Sequence, residues 1–502
     1  MSETTKNLAY WRGKSETIAK EVRPFINGQF IDSLSTDYFI KHNPADGTVL
    51  IEPPAGAAAD VDAAAAAARV AFDKGDWSGA APAERKAVLS RLADLLEENT
   101  DDLALLETLD VGKPISDATS IDVPLSAAVL RMFAELADQI NGRTLTTDNG
   151  SFAFTKRYPA GVVAGITGWN FPLALAAMKV GPALAAGNAL VLKPSELSSF
   201  TTLRLAALAK EAGVPDGILN IVPGQGLTVG AALAKHGDID MLSFTGSTSV
   251  GKLLLQYAGQ SNMKRLLLEC GGKSPNIVCD DFPDLDEAAM GVFSKMFWNQ
   301  GQVCTAGTRL LVQRSIKDAL VERLVGLAQT MTPGDPLDPA TTAGPLISRI
   351  QQDKVLSYID HGKNSGARLC FGGEQKTGDG FFVAPTIFDD VDPGASIAQE
   401  EIFGPVLAII PFDTVDEAIS IANGTIYGLS ATVWTVDLAK AHAFIDGLKA
   451  GEVTVRGAGS SASGAALGAM PNQPFGQSGF GVEMGLEGLL SYTSVKSLQI
   501  FT

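Results

Sequence analysis

The sequence predicts an α/β protein made of two doubly wound parallel sheets and a small separate β element. Three observations carry that expectation. Its 502 residues exceed the size at which a single hydrophobic core keeps growing, so at least two domains are expected. From Tyr158 to Val250, short apolar runs alternate with helical stretches at the spacing of right-handed βαβ units. A second alternating block opens at Ser274-Pro-Asn-Ile-Val-Cys279.

Ahead of the first block, residues 61–70 and 86–109 read as helices. The run Ala63 to Ala68 has high helix propensity, and Leu89, Leu92, Leu95 and Leu96 share one face. Residues 143–157 are threonine-rich, carry Asp148-Asn149-Gly150 between β-type runs, and read as a hairpin. Strands follow at 161–166, 189–192, 218–222 and 241–244, with helices at 173–184, 201–212 and 229–235 between or beside them. The second block gives a helix at 285–299, a strand at 309–313 and a helix at 316–330, then the connector Thr332-Pro-Gly-Asp-Pro. Residues 489–500 have strand character. A domain boundary near 271–273 puts the expected ligand site between two domains, beyond the carboxyl ends of the first set of strands.

Composition narrows the function. A formal charge of -17, from 39 basic and 56 acidic residues, argues against nucleic acid or an anionic membrane as partner. Cys270, Cys279, Cys304 and Cys370 show no CxxC spacing, so neither a disulfide framework nor a structural metal site is expected. The start, Met-Ser-Glu-Thr-Thr-Lys-Asn, has no apolar signal region. The apolar stretch at 160–178 is broken by Gly161, Gly165, Gly168, Asn170 and Pro172, which suits a buried strand-turn-helix better than a membrane span. A reducing cytoplasm is the expected location.

Chemistry concentrates at a few positions. Cys304 sits in a glycine-bracketed polar turn, Asn299-Gln-Gly-Gln-Val-Cys304-Thr-Ala-Gly. Glu269 follows an apolar run and precedes Gly271-Gly272, where partial burial would raise a carboxyl's pKa toward a base's working range. A thiol and a carboxylate of this kind suit covalent attack on a carbonyl followed by activation of water. The alternatives are an inert buried cysteine and a Glu269 that pairs with Arg265 or Lys264. No GxGxxG is present, and no histidine lies near Cys304 in sequence.

The motifs Gly168-Trp-Asn-Phe-Pro172, Leu192-Lys-Pro-Ser-Glu196, Phe244-Thr-Gly-Ser-Thr248, Leu268-Glu-Cys-Gly-Gly-Lys273, the Cys304 turn and Glu400-Glu-Ile-Phe-Gly-Pro405 occur in one order. In these the chain resembles the NAD(P)-dependent, hydrolytic aldehyde dehydrogenases, from about Phe25 to Lys496. The resemblance implies residues 1–142 with 158–271 as the dinucleotide domain, 272–482 as the catalytic domain, and 143–157 with 483–502 as an element joining a dimer or tetramer. It implies Cys304 as nucleophile, Glu269 as base, Asn170 as oxyanion donor and Lys179 in proton relay, Lys179 being otherwise readable as a snorkelling surface lysine. For the cofactor it implies Ile166, Trp169, Gly226, Gly230 and Lys354, with Thr245, Gly246 and Ser247 at the pyrophosphate. Lys193 and Glu196 fit the adenosine ribose, and Glu401 and Phe403 the nicotinamide end. A carboxylate at Glu196 would repel a 2′-phosphate, so NAD is expected over NADP.

The nearest-looking branch acts on 4-(γ-glutamylamino)butanal and related aminoaldehydes. The tail departs from it at Val455-Arg456, at the small-residue loop 457–473, and at Val482. With Leu175, Met178 and Trp298 as an apolar tunnel and Arg456 at a roomier entrance, a bulky or extended aldehyde is expected. Two rivals stay open: a catalytically silent NAD-binding relative, and a cysteine hydrolase without a redox step.

Overall fold

The computed structural model describes residues 6–148, 150–374, 378–460 and 470–501. Two large sheets dominate it. In the first, five parallel strands run in the order β3-β2-β1-β4-β5. They are β1 (Val162–Ile166), β2 (Ala189–Lys193), β3 (Leu219–Ile221), β4 (Met241–Thr245) and β5 (Arg265–Glu269). Val162, Val163, Ala164 and Leu190 to Leu192 are wholly buried, as expected of a parallel sheet covered on both faces by helices. The covering helices include α1 (Pro172–Ala185), α2 (Phe200–Ala212) and α3 (Thr248–Gln260). Pro172 opens α1, where its missing N–H costs nothing.

In the second sheet six parallel strands run in the order β8-β9-β7-β6-β10-β11, and Arg368–Phe371 pairs antiparallel with β8 at the edge. The parallel strands are β6 (Pro275–Val278), β7 (Arg309–Gln313), β8 (Thr386–Asp389), β9 (Val406–Phe412), β10 (Ser430–Trp434) and β11 (Glu452–Arg456). The chain crosses between sheets within Cys270–Ser274, so the turn after β5 leads directly to β6. Gly479–Phe480 then returns to pair antiparallel with β5, adding a late piece of the chain to the first sheet.

The third, three-stranded sheet joins Thr144–Leu145, Phe152–Pro159 and Thr493–Ile500, with an antiparallel register from Thr493↔Pro159 to Ile500↔Phe152. Of the expected hairpin turn, Asn149 lies outside the described residues. The expected strand at 489–500 begins later than its composition suggested. Leu489 to Ser491 finish the helix Gly485–Ser491, whose buried Leu489 packs into the first core. The expected helix at 86–109 is two helices, Pro82–Glu98 and Thr100–Val111, parted at Asn99, whose side-chain amide donates to the Leu95 carbonyl at 2.8 Å. No helix among the described residues is long and apolar enough to cross a membrane.

Candidate active site

Register aligns the carboxyl ends of the first sheet. Ile166 pairs with Lys193 and with Phe244, and Thr245 pairs with Glu269. The loops leaving these strands therefore open at one level, which is where an α/β sheet takes ligands. From the second sheet's side comes helix α4 (Leu285–Phe297), which stops at Phe297, two residues short of the expected end. Asn299, Gln300 and Gly301 then take positive φ of 48°, 55° and 70°. This left-handed turn, unusual for two non-glycine residues, swings Cys304 toward β5.

Cys304 and Glu269 meet. The Cys304 thiol lies within interaction range of the Glu269 carboxylate, with Glu269 buried and Cys304 half-buried. Burial pushes the Glu269 carboxyl up to about 7, helped by the negative charge of Glu483 and opposed by Lys179. Burial also raises the Cys304 thiol well above its ordinary value, with Glu269 and Glu401 adding to the shift. The resting pair is thus a neutral thiol beside a carboxyl that titrates near neutral pH. The alternative partners for Glu269 are engaged elsewhere: Arg265 donates to the Thr493 carbonyl at 2.9 Å and Lys264 to that of Ala234 at 2.7 Å.

Asn170 is tied to the same turn. Its amide donates to the Gln302 carbonyl at 3.0 Å, and the Asn299 amide donates to the Asn170 carbonyl at 3.2 Å. Asn170 also lines the cavity that includes Cys304. Gly272 is required by packing, because a Cβ there would stand 2.4 Å from the Cys304 carbonyl oxygen. Lys179, readable from sequence as a surface lysine, is fully buried and ion-paired with Glu483, which also accepts from Ser243 at 3.3 Å. Glu483 escaped sequence reasoning, and no local signal marks it: it lies 304 positions from Lys179.

A cavity of about 360 Å³ runs from Cys304 along the strand ends. Ile166, Trp169, Asn170 and Leu175 line it from the β1 loop and α1, Lys193 and Glu196 from the β2 loop. Gly226, Thr245, Gly246 and Ser247 form its far wall, and Lys354, Glu401 and Phe403 close it from the second sheet's side. Gly230 lies behind, its Cα facing the Lys193 side chain. Lys193 reaches Glu196 at 3.3 Å, while the Gly272 N–H donates to Glu401 at 2.9 Å. Trp169 and Phe403 meet edge to face at 5.1 Å, with Phe403 at a φ of 61°.

A dinucleotide fits this lining. Gly246 has no room for a Cβ, which would stand 2.5 Å from the Phe244 ring. Ser247 caps α3, whose free N–H groups favour a phosphate. The buried hydroxyls of Thr245 and Thr167 have no hydrogen-bond partner among the described residues.

Three expected substrate residues fall outside the cavity. Met178 packs half-buried against the first core and does not line this cavity. Trp298 packs on Phe171 at 5.1 Å and lines a second cavity of about 670 Å³ with Asp117, Met290 and Phe293. Arg456 stacks on Trp434 at the carboxyl end of β11, whereas Cys304 lies ahead of β7 at the sheet's opposite end. The expected entrance loop 457–473 lies largely outside the described residues, which omit 461–469.

Known proteins resemble this chain over nearly its whole length. The model of the aldehyde dehydrogenase family matches residues 30–498. The NADP/NAD-dependent aldehyde dehydrogenase PuuC of Escherichia coli is 47% identical over 494 residues, covering 98% of either chain. Among solved structures, a mutant indole-3-acetaldehyde dehydrogenase of P. syringae in complex with NAD+ and IAA is 48% identical with a TM-score of 0.95. It covers 98% of this chain and 99% of its own. The gamma-glutamyl-gamma-aminobutyraldehyde dehydrogenase of Burkholderia cenocepacia is 49% identical with a TM-score of 0.94, with the same coverage.

Proposed function

The chain belongs to the aldehyde dehydrogenase family, and from that premise we propose how its residues divide the work of oxidising an aldehyde to a carboxylic acid. The observation that carries the proposal is the contact between the Cys304 thiol and the Glu269 carboxylate at the end of the cavity. Glu269 takes the thiol proton, and Cys304 sulfur adds to the aldehyde carbon. The Asn170 amide and the Cys304 backbone N–H steady the oxyanion of the thiohemiacetal. Held in the cavity, NAD would supply the hydride acceptor by which this adduct becomes a thioester. Glu269, freed of its proton, then draws one from water, and the resulting hydroxide cleaves the thioester to the acid. Lys179 and Glu483 pass that proton away from Glu269.

Thr245, Gly246 and Ser247 would hold the pyrophosphate, Lys193 and Glu196 the adenosine ribose, and Glu401 and Phe403 the nicotinamide end. NAD is preferred to NADP because Glu196 would face a 2′-phosphate and its Lys193 partner is already engaged. The substrate is an extended aldehyde, its carbonyl at Cys304 and its tail passing Phe171 and Leu175 toward Trp298. The dinucleotide unit comprises 1–142 with 158–271 and the catalytic unit 272–482. A homo-oligomer, dimer or tetramer, forms through 143–157 and 483–502, which present exposed Phe152, Val495, Ile500 and Phe501. The cytoplasm suits a free thiol. Cys304→Ala should abolish NADH formation from any aldehyde while leaving NADH binding intact by fluorescence. Residual turnover of more than about one part in a thousand would remove Cys304 from the proposal.

A further inference from the structure

A buried ion cluster stands behind the aromatic wall of the site. Lys113, Glu107 and Asp122 are each fully buried. The Lys113 ammonium is ion-paired with Asp122 and lies 3.5 Å from Glu107. It also sits 4.1 Å from the centroid of the Phe171 ring. Phe171 lines the cavity that holds Cys304, and its other neighbour, Trp298, lines the second cavity, so the two rings stand between them. The wide π-helical turn Ala118–Asp122 carries Asp122 back against Lys113. Burial pushes Glu107 up to about 8 and raises Asp122, so the cluster holds a proton between two acids while Lys113 stays paired with one of them.

Three ionisable side chains placed in a core are a poor way to gain stability, since apolar residues of the same volume do as well or better. Their use here lies in what they hold. A desolvated ammonium over a ring face is directional, because the ring's negative face and not its edge attracts it. Phe171 is also the residue immediately after Asn170, so fixing its ring fixes one side of the path to Cys304.

We propose that Lys113 is a positioning residue that pins the Phe171 ring to the cavity wall and so sets how well bulky aldehydes reach Cys304. The proposal rests on the reading of Cys304 as the attacking group. Without the cation, the ring is free to tilt into the path, which obstructs a wide aldehyde more than a narrow one.

The test is a double-mutant cycle of Lys113→Met and Phe171→Leu, assayed with acetaldehyde and phenylacetaldehyde. Lys113→Met should raise KM for phenylacetaldehyde about tenfold more than for acetaldehyde, with kcat for the two falling in parallel. In the Phe171→Leu background this discrimination should vanish, because the pinned ring is gone. Equal KM changes for both aldehydes, or a discrimination that persists without Phe171, would overturn it. If Lys113→Met does not fold, Lys113→Gln with Asp122→Asn keeps the volume and tests the same cycle. Wild-type protein that makes no NADH from either aldehyde would instead count against the proposed function. A crystal structure of Lys113→Met with Phe171 unmoved would refute the pinning itself.

Discussion

Replacing Glu269 by glutamine removes the proton acceptor beside Cys304 while keeping its volume and a hydrogen-bonding oxygen. The wild-type carboxyl is pushed up to about 7, chiefly by burial. Its ionised fraction therefore climbs from about one tenth at pH ~6 to about nine tenths at pH ~8, and a step that needs the carboxylate should accelerate about ninefold over that span. A carboxyl at its ordinary value near ~4.3 would already be ionised at both, giving almost no change. In Glu269→Gln, thioester cleavage should slow by roughly 10² to 10⁴, the usual contribution of a general base, and its pH dependence below pH ~8 should flatten. Stopped-flow absorbance at the NADH band separates the steps. The variant should give a burst approaching one NADH per subunit, slower than wild type's first turnover, then a much reduced steady rate. Burst and steady rate both near wild type, or a wild-type steady rate flat between pH ~6 and ~8 in a deacylation-limited assay, would refute the assignment.

Other perturbations follow from the same geometry. Asn170→Ala should lower kcat by about 10² to 10³ with a smaller change in KM, as expected for loss of one oxyanion donor, and steady-state kinetics would check it. Gly272→Ala drives a Cβ to 2.4 Å from the Cys304 carbonyl oxygen, so the nucleophile's turn must move. A shift of about 1 Å should cost about a hundredfold in kcat, with the melting temperature reporting any wider damage. Because Glu483 raises and Lys179 lowers the Glu269 carboxyl, Glu483→Gln should move the pH midpoint of thioester cleavage to lower pH and Lys179→Met to higher pH. Shifts in the same direction would break that electrostatic account.

Local chemistry made much of this protein legible before any coordinates. Strand and helix alternation follows from burial on both faces of a parallel sheet. Pro172, Gly272 and the helix start at Ser247 are visible because backbone geometry and capping restrict which residues serve there. Cys304 stood out because its turn is not explained by core packing, Glu269 because a carboxylate lies between an apolar run and two glycines, and Asn170 through its motif's resemblance.

Other features had no local signature. Nothing in residues 285–299 announces that Asn299 and Gln300 turn left-handed, since that conformation is imposed by the packing around Cys304. Leu175 and Met178 look alike in sequence, yet only the docking of α1 decides which one meets the cavity. Arg456 carries a charge suited to an entrance, but strand direction sets it at the far end of the second sheet.

The sequence by itself determined the layered α/β architecture, the family and the identity of the candidate nucleophile, base and oxyanion donor, because short-range periodicity and contiguous motifs encode them. Tertiary structure alone decided that Lys179 meets Glu483 and that Lys113 meets Phe171. Such pairings depend on where distant segments come to rest, and an ionisable side chain acquires its proton affinity from the burial and charges found there.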